Sequence, residues 1–243
     1  MNIIINADDF GADHNINTAI ACSFEKKIID STTMMVNTDG FEEAVELAHK
    51  YKFSDKIGIH LNLTWQKSLT DLSNTGLTDH NGLFIRKSIL NPRIAFSKEI
   101  QKKVQKEIYY QYHKLLKAKI KPTHIDSHHH VHTIPWLYRI FIDLALREKL
   151  KMRITNDRPR NNFPVVCYNK FLNAIYKKKQ INFSDKFDKV STLMMHHKKN
   201  KDHNLIYEVM VHPVFKDGIL IDNVEKTNLE DTIKNLKKKI IIV

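Results

Sequence analysis

Short apolar runs alternate along the chain with longer segments in which apolar residues recur every three or four positions. The short runs predict strands, and the helically spaced segments predict amphipathic helices. The predicted strands cover 3–7, 32–36, 57–63, 123–126, 151–155, 190–195, 206–211 and 240–243, and the predicted helices cover 12–28, 41–51, 97–119, 135–149, 166–177 and 224–238. Strand followed repeatedly by helix predicts an α/β fold around a parallel sheet, either open or closed as a barrel.

Local signals refine a few of these boundaries. Ser97 is the expected N-cap of the third helix, and Pro135 suits the first turn of the fourth. The polar stretch 64–92 has few periodic signals, and so long a gap inside a domain usually has a function or contains minor structure. The segment 156–204 gives the weakest pattern, and the role of its lysine-rich part, 163–204, stays open. No linker-like run divides the chain, so we expect a single domain over 1–243.

Composition favours a folded protein of a reducing compartment. Hydrophobic residues make up 42% of the chain, which is enough for a core. Cys22 and Cys167 form no CxxC pair and no disulfide framework. The opening segment lacks a basic region and soon reaches Asp8 and Asp9, and no stretch attains the ~18 apolar residues that cross a bilayer. We therefore expect a cytoplasmic protein with no membrane partner.

The net charge of +12 raises the question of an anionic partner such as nucleic acid. Only seven of the 39 basic residues are arginine, the residue best suited to bidentate phosphate contacts. The lysines recur along the whole chain, which favours solvated helix faces over a dedicated basic site. We expect no nucleic-acid partner.

Aspartate and histidine gather where predicted strands end. Asp8 and Asp9 follow the first strand, His60 lies in the third, and His212 follows the strand 206–211. A fourth group begins at Asp126 and continues through His128, His129, His130 and His132. Because functional groups of parallel α/β folds collect at the carboxyl ends of strands, these side chains are expected to converge on one pocket.

The Asp8–Asp9 pair itself suggests a cation. Two adjacent carboxylates repel each other, and burying either requires compensation that a bound cation supplies. Neighbouring side chains on a strand point to opposite sides, so the two should have different roles. One could bind metal while the other acts beside it. The alternative is that one of them only caps the following helix.

Five histidines fall within the nine residues 124–132, a density that favours a metal site. They cannot all be ligands, because a zinc site takes three or four protein ligands. His128 and His132 would share a face if the segment were helical. His129 and His130 are expected to support the ligands, face the substrate or simply pack.

Single residues remain ambiguous. His60, between Ile59 and Leu61, could be a hydrogen-bonded core histidine, and His212 fits either a general acid or a buried imidazole. Other chemistries have less support, since the sequence contains no serine-nucleophile elbow, no P-loop and no dinucleotide-binding glycine motif.

Five motifs together carry a family resemblance. NADDFG at 6–11, STTMMVN at 31–37, GIHLNLT at 58–64, PTHIDSHHHVH at 122–132 and EVMVHP at 208–213 resemble the YdjC-like carbohydrate deacetylases in content and order. The resemblance implies a distorted (β/α) barrel related to the polysaccharide deacetylases. It also implies one divalent cation, a possible homodimer, and removal of acetate from N-acetylated sugars such as chitooligosaccharides.

The resemblance assigns roles to residues. Asp9, His60 and His128 correspond to metal ligands, Asp8 to the general base and His212 to a candidate general acid. Asp126, His129, His130 and His132 would then support the ligands or contact substrate. The family implies Mg²⁺, whereas two imidazoles and one carboxylate favour Zn²⁺, Co²⁺ or Mn²⁺ by ligand softness. Val211 departs mildly from the small residue or cysteine usual before the final histidine.

Two other functions remain as alternatives. A phosphoesterase with the same strand-end site would hold two metals ~3.5–4 Å apart and need more carboxylate ligands. A polyanion-binding protein would use the +12 charge on a clustered basic face, and its binding would be sensitive to salt.

Overall fold

The predicted apolar strands form one curled parallel sheet. The computed structural model describes residues 2–156, 162–196 and 204–241. Seven strands follow the order β5-β4-β3-β2-β1-β7-β6, and every neighbouring pair is parallel. They are β1 (Asn2–Phe10), β2 (Ser31–Met34), β3 (Ile57–Leu61), β4 (His124–Ser127), β5 (Lys151–Met152), β6 (Lys186–Lys189) and β7 (Ile206–Val211). β2, β3 and β4 are buried along their whole length, as expected of parallel strands covered on both faces.

Helices connect most of these strands, which completes the α/β pattern. They are α1 (His14–Glu25), α2 (Phe41–Lys50), α3 (Pro92–Phe96), α4 (Lys98–Lys117), α5 (Tyr138–Glu148), α6 (Phe163–Lys178), α7 (Val190–His196) and α8 (Leu229–Ile241). Ser97 caps α4 as expected, because its hydroxyl accepts the Ile100 amide. No helix within the described ranges is both long enough and apolar enough to cross a membrane.

The sheet curls into a half-barrel with a seam between its two end strands. β5 and β6 lie at opposite ends of the strand order, yet Met152 of β5 pairs with Asn182. The Met152 amide donates to the Ile181 carbonyl at 2.5 Å, and the Phe183 amide donates to the Met152 carbonyl at 2.7 Å. These contacts link β5 to the segment that leads into β6. The predicted α/β distorted barrel is thereby confirmed.

Two smaller features flank the sheet. β8 (Pro213–Lys216), β9 (Ile219–Asp222) and β10 (Thr227–Asn228) form an antiparallel sheet directly after β7. The polar stretch 64–92 contains isolated bridges and a 3₁₀ turn at Arg86–Leu90, as the expectation of minor structure allowed. The first part of this polar stretch is bound to α4, because the Glu107 carboxylate accepts hydrogen bonds from the backbone amides of Leu69 and Thr70.

Several predicted boundaries were wrong. The segment 190–195 is the helix α7, and the strand lies just before it at β6. The segment 240–243 was predicted as a strand, but α8 continues to Ile241, and residues 242–243 lie outside the described part of the chain. The last helix begins at Leu229, after β10, and not at 224. α5 begins at Tyr138, because Pro135 lies in a turn that precedes it.

Candidate metal centre

The Asp8–Asp9 pair lies at a distortion in β1. The pairing of β1 with β2 shifts register between Ala7 and Phe10, and Asp9 has a φ of 71°. An irregularity of this kind re-aims side chains at a strand end. Asp8 is buried against the interior, whereas Asp9 retains 18% of its side-chain exposure. The two carboxylates therefore have different surroundings, as the sequence predicted.

Asp9, His60 and His128 come together from three strand ends. Nε2 of His60 lies 3.1 Å from Oδ1 of Asp9, and Nδ1 of His128 lies 2.9 Å from the same oxygen. One donor atom from each residue falls within 4.8 Å of the other two. His60 is buried, but His128 keeps 16% side-chain exposure. The cluster thus has one partly open side.

The donor set fits a divalent cation. Nδ1 of His60 donates to Oδ1 of Asp126 at 2.6 Å, which leaves Nε2 facing Asp9. A carboxylate behind the imidazole is the usual support of a metal-binding histidine, because it fixes the ring and its tautomer. Thr33 donates its hydroxyl to Oδ2 of Asp126 at 2.9 Å, so the supporting carboxylate is itself held. Of the two roles left open for Asp126, supporting a ligand or contacting substrate, its contact with His60 favours the first.

Electrostatics also favour positive charge at this cluster. Burial alone would raise the pKa of Asp9, but hydrogen bonds from His128 and His60 hold that pKa well below its usual range. Burial would lower the pKa of His60, but Asp126 and Asp9 raise it to about 10. A site that stabilises a protonated imidazole so strongly also suits a metal cation, which takes the place of the proton at the ring nitrogen.

A second group of candidate ligands is much less suitable. Asp8, His60 and Asp126 also place donor atoms within 4.8 Å of one another, but all three side chains are buried. The guanidinium of Arg153 contacts both carboxylates of this group, and a cation there would be repelled by it. The open Asp9–His60–His128 cluster is the better candidate, and the second cluster gives no support to a two-metal phosphoesterase site.

Arg153 is the main site residue that the sequence reading missed. Its Nη1 donates to Oδ2 of Asp8 at 2.6 Å and its Nη2 to Oδ1 at 2.7 Å, which makes a bidentate pair. Nη1 also lies 2.9 Å from Oδ2 of Asp126, and Nε donates to Oε1 of Glu208 at 2.6 Å. All four side chains are buried. The available signal was a single arginine placed among the apolar residues that follow α5.

Glu208 was also missed as an individual residue, although it opens the EVMVHP motif. Burial raises the pKa of Glu208 to about 7, despite the opposing effect of Arg153. Its Oε2 has no hydrogen-bond partner among the described residues. Glu208 contacts the guanidinium at Nε, whereas Asp8 and Asp126 contact it at the two terminal nitrogens.

The histidine run forms an irregular turn, so the condition for His128 and His132 to share a helix face is not met. Residues His128–Thr133 are a 3₁₀ turn interrupted by left-handed backbone at His129 and His130. His129 forms a hydrogen bond of 2.9 Å with the Thr64 hydroxyl, and His132 forms one of 2.6 Å with the Ser127 hydroxyl. The His130 ring packs edge-on against the Phe187 ring. Burial lowers the pKa of His129 and of His130 to about 4. The His129 ring packs against that of His128 with centroids 4.0 Å apart, and none of the three histidines joins the Asp9 cluster.

His212 lies at the same sheet edge but outside the cluster. Ala7 of β1 pairs with Val211 of β7, so Asp8 and His212 are the next residues on neighbouring strands. The His212 amide donates to Oδ2 of Asp222 at 3.2 Å, and its Nδ1 is buried with no partner among the described residues. Its position is compatible with a role beside Asp8.

Fold and site together define a class: α/β half-barrel proteins that gather an Asp–His–His cluster, suited to one divalent cation, at the carboxyl ends of their strands. Residues 2–237 match the family model described as YdjC-like protein. The chain therefore belongs to the YdjC-like family, and the resemblance seen in the five motifs is confirmed.

Individual relatives agree with this assignment. A carbohydrate deacetylase of Vibrio parahaemolyticus serotype O3:K6 is 33% identical over 225 residues, which cover 91% of this chain and 81% of that protein. One of Vibrio cholerae serotype O1 is 31% identical over 220 residues, covering 90% and 81% respectively. A crystal structure from Enterococcus faecalis V583, described as a candidate cellobiose-phosphate cleavage protein, has a TM-score of 0.74 at 23% identity. It covers 98% of this chain and 92% of its own, and it supports the fold alone.

Proposed function

We propose that this protein is a metal-dependent hydrolase that removes acetate from N-acetylated carbohydrates, with chitooligosaccharide-like sugars as substrates. The observation that carries the proposal is the meeting of Asp9, His60 and His128 beside the separately held carboxylate Asp8. The names of the curated relatives, carbohydrate deacetylases in each case, support the substrate class.

Asp9, His60 and His128 would hold the cation. When bound, a divalent ion supplies Lewis acidity to a carbonyl oxygen and lowers the pKa of coordinated water. Their two imidazoles and one carboxylate are compatible with Zn²⁺, and Mg²⁺ is the metal that the family resemblance implies. The partial exposure of Asp9 and His128 leaves one side of the cluster for water and substrate.

Asp8 is the proposed general base. Each carboxylate oxygen has more than one acceptor position, so the bidentate contact with Arg153 still leaves Asp8 able to accept a proton from water. The guanidinium restricts the carboxylate to one orientation, which is what a positioned base requires. His212, on the neighbouring strand end, is the proposed acid that donates a proton to the departing sugar amine.

The test is an acetate-release assay on N-acetylglucosamine and short chitooligosaccharides. Activity should disappear with chelator and return when one suitable divalent metal is restored. Asp8→Asn should slow turnover by about 10²–10⁴-fold while the protein still binds metal. His128→Ala should lose the metal itself. Release of phosphate from phosphorylated sugars without release of acetate would reject the proposal, and a His128→Ala protein with full metal content would reject the ligand assignment.

A further inference from the structure

Trp65 is a large aromatic side chain left exposed beside the candidate centre. It follows β3 in the loop after His60, and 37% of it remains exposed. Its ring centroid lies 5.9 Å from that of His128, with 37° between the ring planes. A tryptophan exposed to this extent forgoes part of the burial that its apolar surface would gain in the core. Its place next to a candidate metal ligand suggests that the indole contacts a molecule bound at the site.

Buried amides hold the Trp65 backbone in place. The Asn62 side chain accepts the Trp65 amide at 3.1 Å and donates to the Trp65 carbonyl at 2.6 Å. Asn62 is in turn held by Gln111 of α4, whose side chain forms hydrogen bonds with both the backbone amide and the backbone carbonyl of Asn62. Asn37 donates to the Trp65 carbonyl as well, at 3.4 Å. Side chains from two loops and from α4 thus hold the backbone that carries the exposed indole, which suits a pre-organised binding surface.

The open side of the cluster and the indole adjoin each other. Asp9 and His128 are the partly exposed members of the cluster, whereas His60 is buried. Trp65 contacts the ring of His128, one of these exposed members. A substrate that reaches Asp9 along His128 would therefore pass the indole.

We propose that Trp65 is the stacking platform for a pyranose ring of the substrate, an inference that rests on the proposed deacetylase function. The C–H face of a pyranose is apolar and slightly positive, and it packs on the negative face of an aromatic ring. An equatorial acetamido group lies near the plane of its sugar ring. A ring stacked on Trp65 therefore extends that group sideways, towards His128 and Asp9. The indole would thereby anchor the sugar beside the centre.

Fluorescence gives a direct test, because the chain has only two tryptophans. The other, Trp136, is partly buried against the core and donates its indole N–H to the Ile89 carbonyl at 2.9 Å. In metal-loaded protein with Asp8→Asn and Trp136→Phe, Trp65 is the only tryptophan and turnover is suppressed. Titration with di-N-acetylchitobiose should change its emission saturably. The matched protein with Asp8→Asn and Trp65→Phe, which reports from Trp136, should show no change.

Kinetics give the second readout. With Asp8 intact, Trp65→Ala should raise KM for di-N-acetylchitobiose by about tenfold and change kcat by less than about threefold, because stacking anchors the sugar without taking part in bond breaking. Trp65→Phe should recover much of the loss, which a merely structural role for the indole would not predict. Trp136→Phe should keep wild-type kinetics.

The outcomes separate the two proposals. Normal acetate release with an unchanged KM in Trp65→Ala, or no emission change on titration, would overturn the platform and leave the deacetylase function standing. A saturable change without any acetate release by the wild-type protein would support the platform and reject the deacetylase function.

Discussion

Arg153 is a buried arginine that contacts three buried carboxyl groups. Asp8, Asp126 and Glu208 each lie within 2.9 Å of its guanidinium, and Phe187 covers it with its ring 4.8 Å away. Charges removed from water in this way are costly unless they are paired and hydrogen-bonded. The arginine therefore both compensates the carboxylates and gives Asp8 its orientation.

Lysine cannot reproduce this geometry, because its ammonium group is a compact charge without a planar fork. We expect Arg153→Lys to fold, but to lose about 10²-fold in turnover because Asp8 is no longer held at two points. Arg153→Met should cost about 3–5 kcal/mol in the free energy of unfolding, since it removes the charged partner that three buried carboxyl groups share. Denaturant titration and acetate release measure the two effects. Arg139→Lys, an exposed substitution in α5, is the control. Full stability in Arg153→Met would show that the carboxylates do not depend on the guanidinium.

The sequence could show residue types at strand ends, and this found Asp8, Asp9, His60 and His128. It could not show Arg153, because the partner of that residue is 145 positions away and only the sheet order brings them together. Nor could it show that Asp126 supports His60, since the two become neighbours only through the β3–β4 register. The sequence therefore showed which side chains could take part in the site, whereas the tertiary structure was needed to show which of them contact each other.

At the scale of elements, the pairing of β3 with β4 depends on a glycine. A Cβ added at Gly58 would lie 2.7 Å from the His124 ring and 2.8 Å from the His124 carbonyl. We expect Gly58→Ala to reduce the free energy of unfolding by about 1–3 kcal/mol through overpacking, as measured by denaturant titration. Combined with His124→Ala, the penalty of the glycine substitution should shrink but persist, because the backbone carbonyl remains in the way. An unchanged free energy of unfolding in Gly58→Ala would mean that β3 and β4 can shift apart enough to accommodate the added methyl group.

His124 itself couples the same pair of strands to pH. It is buried and stacked on Phe183 with ring centroids 4.0 Å apart, and burial lowers its pKa to about 4. Between pH 4 and about 6.5 the unfolded chain therefore binds a proton at this residue that the folded chain does not. Stability must fall as the pH decreases through this window.

We expect His124→Gln to reduce the dependence of unfolding free energy on pH by up to one proton between pH 4.5 and 6.5. Denaturant titration at several pH values measures this slope. Part of the slope should remain, since burial also lowers the pKa of His130 and His132. His80→Gln, at an exposed histidine, should leave the slope as it is. If His124→Gln behaved likewise, the buried imidazole would not be a source of acid sensitivity.

Errors in the predicted elements have physical causes. The run VSTLMM at 190–195 is short and apolar, and such a run suits a buried strand as well as a buried helix. The left-handed residues His129 and His130 have no sequence signal of their own, because a left-handed backbone is usually expected at glycine or asparagine. Long periodic segments such as α4 were predicted closely, with the cap residue correct.

For the molecule as a whole, the alternation of strands and helices predicted a parallel sheet but not how far it closes, and only the family resemblance implied a distorted barrel. Alternating strands and helices are compatible with an open or a closed sheet. The two ends of the half-barrel approach each other through the pairing of Met152 with Asn182. The end strand β5, which contains Met152, is only two residues long. The strand predicted at 151–155 is reduced to this length, and its contact with Asn182 has no signal in the sequence, so the seam could be found only in the structure.

Charge at the whole-molecule scale leads to the last prediction. The chain has a net charge of +12, yet its centre gathers Asp8, Asp126 and Glu208 around one arginine and places Asp9 between two histidines. A divalent cation bound only by the folded protein should therefore stabilise it. At 100 times its dissociation constant the gain is about 2.7 kcal/mol, or about 5–10 °C in Tm for a domain of this size. Differential scanning calorimetry with chelator, and then with single metals restored, measures this shift. Asp9→Asn should abolish it, and Asp231→Asn, at an exposed carboxylate of α8, should preserve it. An equal rise in Tm for both variants would place the cation elsewhere on the protein.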